Sequence, residues 1–198
     1  DEKASIGTLA HEMIHCMLKN EEADTSDYSQ NQIDLALNSL KSFDNWYKGS
    51  DLKPVLLEEQ LVSEELQYGG SIDCYGVIKD GTRVLVDFKT GKGIYNDMAY
   101  QLSAYANLLE ENGYPVDLAM ILNIPRVDAE DFAIRRWTNL TLHFNIFKCM
   151  LDVYKKEKKL KKDGVSPKVE MREDFTSIVD PSRHHSDREE KGAVHERV

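Results

Sequence analysis

Three residues able to do chemistry together, Asp73, Asp87 and Lys89, lie in two neighbouring stretches whose alternating pattern predicts β-strands. The turn signal Lys79-Asp80-Gly81 between the stretches predicts a hairpin. A two-residue loop would place Cys74 opposite Asp87, whereas a three-residue loop with a left-handed Gly81 would place Asp73 opposite Asp87. The choice matters because a slip of one residue exchanges the two faces of a strand.

The apolar pattern favours the three-residue loop, because that loop gathers apolar side chains on one face: Ile72, Cys74, Ile78, Val84, Val86 and Phe88. The other face then carries Asp73, Tyr75, Asp87 and Lys89. Directly opposed residues on antiparallel strands have Cβ atoms about 5 Å apart. The sequence therefore predicts a close pair of carboxylates with an amine beside them.

Two adjacent carboxylates repel each other, and a divalent cation would relieve that repulsion. Oxygen ligands suit Mg²⁺, and an added imidazole favours Mn²⁺. Lys89 could hold an attacking water and offset negative charge in a transition state, and the backbone carbonyl of Phe88 could add a ligand. The simpler alternative is a surface salt bridge between Asp87 and Lys89 with a solvated Asp73.

The flanking patterns predict the elements that position these residues. Apolar residues at helical or alternating spacing predict helices and strands at 5–19, 30–48, 55–63, 70–78, 83–89, 97–111, 117–124, 131–137 and 140–162. This order predicts an α/β domain with one central mixed sheet flanked by helices. We expect residues 1–163 to form that domain and 164–198 to be a disordered tail, since no periodic pattern persists there.

Four motifs in this order resemble the PD-(D/E)XK nuclease superfamily: Gly7-Thr8-Leu9-Ala10-His11, Gly70-Ser71-Ile72-Asp73, Val86-Asp87-Phe88-Lys89-Thr90-Gly91 and Gln101-Leu102-Ser103-Ala104-Tyr105. The branch they resemble most is the RecB-like exonuclease group, in its phage type. The four cysteines of the iron–sulfur members are missing. The resemblance covers about residues 6–137 and implies a restriction-endonuclease-like core.

The resemblance also implies roles. Asp73, Asp87 and His11 would bind Mg²⁺ or Mn²⁺, and Lys89 would be the catalytic lysine. Gln101 and Tyr105 would border the site, contacting the DNA backbone or orienting the lysine. A first-strand carboxylate would complete the site, and Glu58 fits better than its neighbour Glu59.

The remaining assignments concern a second histidine, a loop and a run of lysines. His15 lies one helical turn after His11 and could also approach the site, although the family often has an acidic residue near that position. Thr90, Lys92 and Tyr95 follow the second strand and could contact DNA through a phosphate or a stacked base. A lysine run near 155–162 could follow a phosphate backbone, but such runs are more typical of the solvated end of a helix.

Composition sets the remaining expectations. The net charge of −10 is unusual for a nucleic-acid enzyme, although carboxylates that hold cations lower the total. No apolar run could span a membrane, no signal peptide opens the chain, and the three separated cysteines favour a reducing cytoplasm. The chain begins almost at the first motif, so an upstream segment of such enzymes is expected to be missing.

These observations predict a metal-dependent deoxyribonuclease, most simply an exonuclease, acting in recombination, repair or phage DNA processing. DNA is the expected partner, and the resemblance adds a single-strand annealing protein. Two alternatives stay open: a nuclease-fold DNA-binding module without catalysis, and a non-enzymatic scaffold that binds a protein through its last helix. Cutting polarity, strand preference and oligomeric state are not predicted.

Overall fold

The computed structural model describes residues 2–164. Their helices and strands follow one another as α1 (Glu2–Lys19), α2 (Gln30–Ser50), β1 (Lys53–Ser63), β2 (Tyr68–Val77), β3 (Arg83–Thr90), α3 (Asn96–Glu111), β4 (Leu118–Ile124), β5 (Ala133–Trp137) and α4 (Thr141–Lys162). Each matches a predicted element to within a few residues. The predicted tail lies outside the described residues, apart from Gly164.

The five strands form one sheet in the order β1-β2-β3-β4-β5. Strands β3 and β4 are parallel, and the other neighbouring pairs are antiparallel. The parallel pair requires a crossover connection, which α3 supplies. The predicted α/β class with a central mixed sheet is therefore confirmed.

Helices cover both faces of the sheet. On one face, Ile14 of α1 and Phe43 of α2 pack with Val84, Val86 and Phe88 of β3. On the other face, leucines of α3 pack with Leu85 of β3 and residues of β4. Because both faces of the sheet are buried, β3 carries apolar side chains on both sides. Asp87 is an exception: it is a charged residue on this strand, and it is only 2% exposed.

The predicted hairpin register is confirmed. Cys74 pairs with Val86, and Val77 pairs with Arg83. The loop is Lys79-Asp80-Gly81, closed by a hydrogen bond from Ile78 N–H to the carbonyl of Thr82, and Gly81 has a φ of 88°. A residue without a Cβ adopts that angle readily, so the turn chemistry sets the register.

One face assignment was wrong. Ile72 does not share a face with Cys74 but packs on the α3 side with Tyr75 and Leu85. The regular β2–β3 pairing ends at Cys74 and Val86. Beyond that pair the Asp73 carboxylate accepts the N–H of Phe88 at 2.7 Å. This side-chain contact replaces regular pairing, so the strict alternation of faces fails there.

The last helix also differs from expectation. Its predicted apolar stripe has no fully buried residue, although Phe147 packs against Tyr68 with ring centroids 4.9 Å apart. Leu142 and Tyr154 are largely exposed. Among the described residues, the compact unit that contains the sheet ends at Lys155, within α4. Within the described residues, no helix is both long and apolar enough to cross a membrane.

Candidate active site

Helix α1 approaches the end of β3 because a glycine faces it. A Cβ added to Gly7 would lie 2.8 Å from Oγ1 of Thr90. The absence of that Cβ lets the helix lie against the strand. His11, one turn further along the same face, is thereby brought to Asp73, with Nδ1 3.7 Å from Oδ1.

Strand β3 supplies an acid and an amine on one side. Lys89 Nζ lies 2.7 Å from Oδ2 of Asp87 and donates a hydrogen bond of 2.9 Å to Oε1 of Gln101. Gln101 is on α3, so the helix fixes the ammonium over the strand. The expected contact between Gln101 and the lysine is present, and so is the Asp87–Lys89 ion pair of the salt-bridge alternative, but Asp87 is buried and not at the surface.

The Asp87 carboxyl is held in an unfavourable environment for its charge. Burial raises its pKa to about 6, the nearby ammonium of Lys89 lowers it, and the negative charge of Asp73 raises it. Burial and the like charge of Asp73 both disfavour the ionised form of Asp87, and an added cation would stabilise that form.

The pKa of Asp73 shifts in the opposite direction. Burial raises its pKa, but the contact with His11, the N–H of Phe88 and the charge of Lys89 together lower it below its ordinary value. The two carboxyls therefore differ: Asp73 is stabilised as an anion by protein donors, whereas Asp87 depends on Lys89. Opposite shifts in neighbouring acids are typical of functional sites.

Tyr105 borders this pair from α3. A Cβ added to Gly70 would lie 2.7 Å from Cε1 of its ring, so the glycine makes room for the tyrosine. Burial and the charges of Asp87 and Asp73 raise the pKa of Tyr105 to about 12. The phenol therefore stays protonated at neutral pH and can donate a hydrogen bond.

Glu58 reaches the site from β1 through a strained backbone. Its φ is 53°, a left-handed value that is unfavourable for a residue with a Cβ. Oε1 lies 2.7 Å from Nδ1 of His15, and Oε2 accepts a hydrogen bond of 2.7 Å from Lys19. Its pKa is lowered: burial raises it, but the contacts with Lys19 and His15 outweigh that effect. Glu59 pairs with Ile72 and does not line the cavity beside the site.

An open cavity of about 770 Å³ lies between α1 and the ends of these strands. Its walls include His11, His15, Glu58, Lys89 and Thr90. The space is large enough for part of a polymer backbone, and Lys89 lines it, whereas Asp73 and Asp87 lie behind its wall.

The predicted DNA-contacting residues divide into two groups. Thr90 lines the cavity, whereas Lys92 and Tyr95 do not. Both are exposed on the connection from β3 to α3. The ring of Phe88 lies in the core, and its N–H donates a hydrogen bond to Asp73. A metal-binding role for the Phe88 carbonyl stays a prediction.

The donor types fit a hard divalent cation, with two carboxylates and an imidazole. Within residues 2–164, no group of three or more His, Cys, Asp or Glu side chains has its donors gathered closely enough to hold a metal ion. The Asp73 carboxylate is directed at the N–H of Phe88, and that of Asp87 at Lys89. The chemistry fits: the Asp73 carboxylate accepts a protein hydrogen bond, whereas the buried Oδ2 of Asp87 lies at ion-pair distance from Lys89 but has no hydrogen-bond partner among the described residues.

His15 is more central than the sequence indicated. It is 3% exposed, and its Nε2–H donates to the carbonyl of Asp73 at 3.2 Å. Its spacing of four residues from His11 was the available signal, since such pairs share a helix face. The His-Glu-Met-Ile-His spacing also occurs on zinc-binding helices, but here both ring nitrogens of His15 face protein oxygens.

Comparison with solved structures shows a protein of similar fold. The crystal structure of a "Putative exonuclease" from Eubacterium rectale matches with a TM-score of 0.58 and 12% identity, covering 96% of this chain and 77% of that one. The structure of SSO0001 matches at a TM-score of 0.38 and 12% identity, covering 76% and 74%, which is too low to support an argument. No family model and no curated protein matches the sequence.

Proposed function

We propose that this protein is a metal-dependent nuclease that hydrolyses phosphodiester bonds in DNA. The observation that carries the proposal is the convergence of Asp73, Asp87 and Lys89, with His11 beside the first acid and Gln101 holding the amine. The fold similarity to the Eubacterium rectale protein, whose name describes an exonuclease, adds support.

Each residue has a distinct role in this proposal. Asp73, Asp87 and His11 bind Mg²⁺ or Mn²⁺, with the Phe88 carbonyl as an additional ligand. Held there, such an ion would supply Lewis acidity toward the scissile phosphate and would lower the pKa of a water molecule. Lys89 positions the attacking water and offsets the charge that develops on the phosphate oxygens. Tyr105 borders the acids as a hydrogen-bond donor.

DNA enters the proposal through the motif resemblance and the open cavity. The phosphates on either side of the cleaved bond lie against Thr90 and Lys92, and Tyr95 stacks on a base. The resemblance to the RecB-like branch of PD-(D/E)XK enzymes favours exonucleolytic cutting in recombination, repair or phage DNA processing, with a single-strand annealing protein as a partner. The free cysteines of the described residues, Cys16, Cys74 and Cys149, fit a reducing cytoplasm.

Cleavage of end-labelled linear DNA and of circular DNA, with Mn²⁺, with Mg²⁺ and with EDTA, tests the proposal. We expect linear DNA to be degraded from its ends only when a divalent ion is present. Asp87→Asn should abolish cleavage, because it removes a metal-binding charge. Asp117→Asn is the matched control, because Asp117 is also paired with a β3 cation, Arg83, but Arg83 begins the strand whereas Lys89 lies near its other end.

Two other results would select other functions. DNA binding without cleavage, whichever divalent ion is added, would indicate a nuclease-fold binding module. That function would also fit the finding that, within residues 2–164, the metal-binding side chains are not gathered around one point. The absence of both DNA binding and calorimetric Mn²⁺ binding would indicate a protein-binding scaffold, a role for which the exposed apolar side chains of α4, such as Leu142 and Val153, are suited.

A further inference from the structure

His15 connects two parts of the sheet that are individually irregular. Glu58 on β1 has the left-handed φ, and Asp73 on β2 lies where the regular pairing with β3 ends. The β1–β2 pairs on either side are Leu57 with Cys74 and Glu59 with Ile72, so Glu58 and Asp73 lie between the same two pairs. Irregular backbone of this kind persists where surrounding contacts hold it.

The ring of His15 contacts both irregular positions. Nε2–H donates to the backbone carbonyl of Asp73 at 3.2 Å. Nδ1 lies 2.7 Å from Oε1 of Glu58, an ion-pair distance without hydrogen-bond geometry. Because Lys19 occupies the other carboxylate oxygen of Glu58, that carboxylate is held between two residues of α1.

His15 is itself fixed. It is almost fully buried, and its ring packs against Phe88 with centroids 5.7 Å apart. Phe88 also supplies the N–H that Asp73 accepts. The backbone carbonyl and the side-chain carboxylate of Asp73 are therefore held by two residues that pack on each other, His15 and Phe88.

We propose that His15 is a positioning residue that sets the orientation of Asp73, and with it the metal affinity of the site, while Glu58 serves as the anchor of His15 and is not itself a metal ligand. This inference rests on the proposed function. It assigns the two histidines of α1 different tasks: His11 faces the cation directly, and His15 acts on the cation through Asp73. Residues that orient metal ligands commonly change affinity or activity by about 10- to 100-fold when removed.

Three substitutions separate the two contacts of His15. His15→Ala removes both contacts. His15→Gln carries an amide that can donate from about the position of Nε2, and His15→Asn carries one near the position of Nδ1. We expect Mn²⁺ affinity, measured by titration calorimetry, to fall roughly 10- to 100-fold for His15→Ala and His15→Asn, and His15→Gln to recover most of it.

Kinetics and stability give independent readouts. At saturating Mn²⁺ we expect kcat to fall in His15→Ala while KM for DNA changes by no more than about twofold, because the ring is 3% exposed and offers the substrate little surface. The melting temperature of each variant shows whether it folds. His143→Gln is the control, since His143 is a half-buried histidine that packs against Tyr100 and Trp137, away from Asp73. The Mn²⁺ affinity of this variant should equal that of the wild type.

The outcomes separate this inference from the proposed function. If the wild type neither binds Mn²⁺ nor cleaves DNA, both are overturned. If the wild type does both and the three variants lose only melting temperature while keeping wild-type Mn²⁺ affinity, His15 is a packing residue and this inference alone is overturned. If Glu58→Gln weakens Mn²⁺ binding as much in the His15→Ala background as in the wild type, Glu58 is a ligand in its own right.

Discussion

The β2–β3 hairpin has two halves that obey different rules. The turn half, residues 74–86, has continuous pairing and a left-handed glycine at its loop. In the site half, residues 68–73 and 87–90, regular pairing between β2 and β3 has ended, and each strand is paired only with its outer neighbour, β1 or β4. Regular hydrogen bonds between β2 and β3 therefore specify the turn half, whereas side-chain contacts, including those from α1 and α3, connect the two strands to their surroundings in the site half.

The comparison shows how the surroundings of each acid determine its pKa. In the turn half, Arg83 and Asp117 form an exposed ion pair with two hydrogen bonds, which lower the pKa of Asp117 to about 2. In the site half, Lys89 and Asp87 form a buried pair at nearly the same distance. Burial raises the pKa of Asp87 to about 6 against the opposing effect of Lys89, so the acids of the two pairs shift in opposite directions.

Lysine replacement should give the largest contrast between the halves. Lys89→Met keeps the apolar stem and removes the ammonium, so we expect kcat for DNA cleavage to fall by about 10²- to 10³-fold, as for loss of one transition-state donor. Arg83→Met, on the same strand, should leave kcat within about twofold. Single-turnover cleavage at saturating Mn²⁺ measures both, and equal rates for Lys89→Met and the wild type would contradict the assigned role.

Two glycines of β2 allow the halves to be compared by one type of substitution. A Cβ on Gly76, in the turn half, would lie 2.5 Å from the backbone oxygen of Lys53, which cannot move aside. We expect Gly76→Ala to lower the free energy of unfolding by about 2–3 kcal/mol, measured by urea denaturation.

Gly70→Ala, in the site half, should affect activity more than stability. Its Cβ would meet the ring of Tyr105, which can rotate away at smaller cost. We expect a loss of about 1 kcal/mol in stability and a roughly tenfold lower kcat as Tyr105 leaves the acids. If Gly70→Ala were as destabilising as Gly76→Ala and fully active, the site half would be as rigid as the turn half.

The stability of the metal-free protein should rise when the buried acid is neutralised. The folded-state pKa of Asp87, about 6, is above its ordinary value of 3.8. The unfolded chain therefore loses this proton first, stability falls as pH rises from 3.8 to about 6, and the deficit is complete above that pH. In EDTA at pH 7.5, Asp87→Asn should be more stable than the wild type by about 1–3 kcal/mol.

Thermal or urea unfolding at pH 7.5 and pH 4.5 measures this effect. The advantage of Asp87→Asn should shrink at the lower pH, where the folded wild type also carries the proton. A wild type as stable as the variant at pH 7.5 would mean that Lys89 fully compensates the charge of Asp87.

The smallest predicted effect concerns the strained backbone at Glu58. Glu58→Ala and Glu58→Gly both remove the carboxylate, but only glycine adopts a φ of 53° without strain. We expect the glycine variant to be more stable than the alanine variant by about 1 kcal/mol, the reverse of the usual order within a strand. A more stable alanine variant would show that the left-handed angle relaxes once the side chain is gone.

Local sequence signals determined most of the fold. Apolar periodicity located the helices and strands because each buried face imposes a spacing on its residues. The turn residues fixed the hairpin register, since Gly81 is the residue that adopts the left-handed angle required there. The same register placed Asp87 and Lys89 on the face opposite Val86, as the structure has them.

Only the tertiary structure decided how the acids differ. The face of Ile72 and the contacts of Asp73 depend on a break in strand pairing that alternation does not encode. The importance of His15 depends on helix α1 being brought to the sheet at Gly7, far from Asp73 in sequence. Burial and the positions of neighbouring charges set a pKa, and both are fixed only when distant segments pack together.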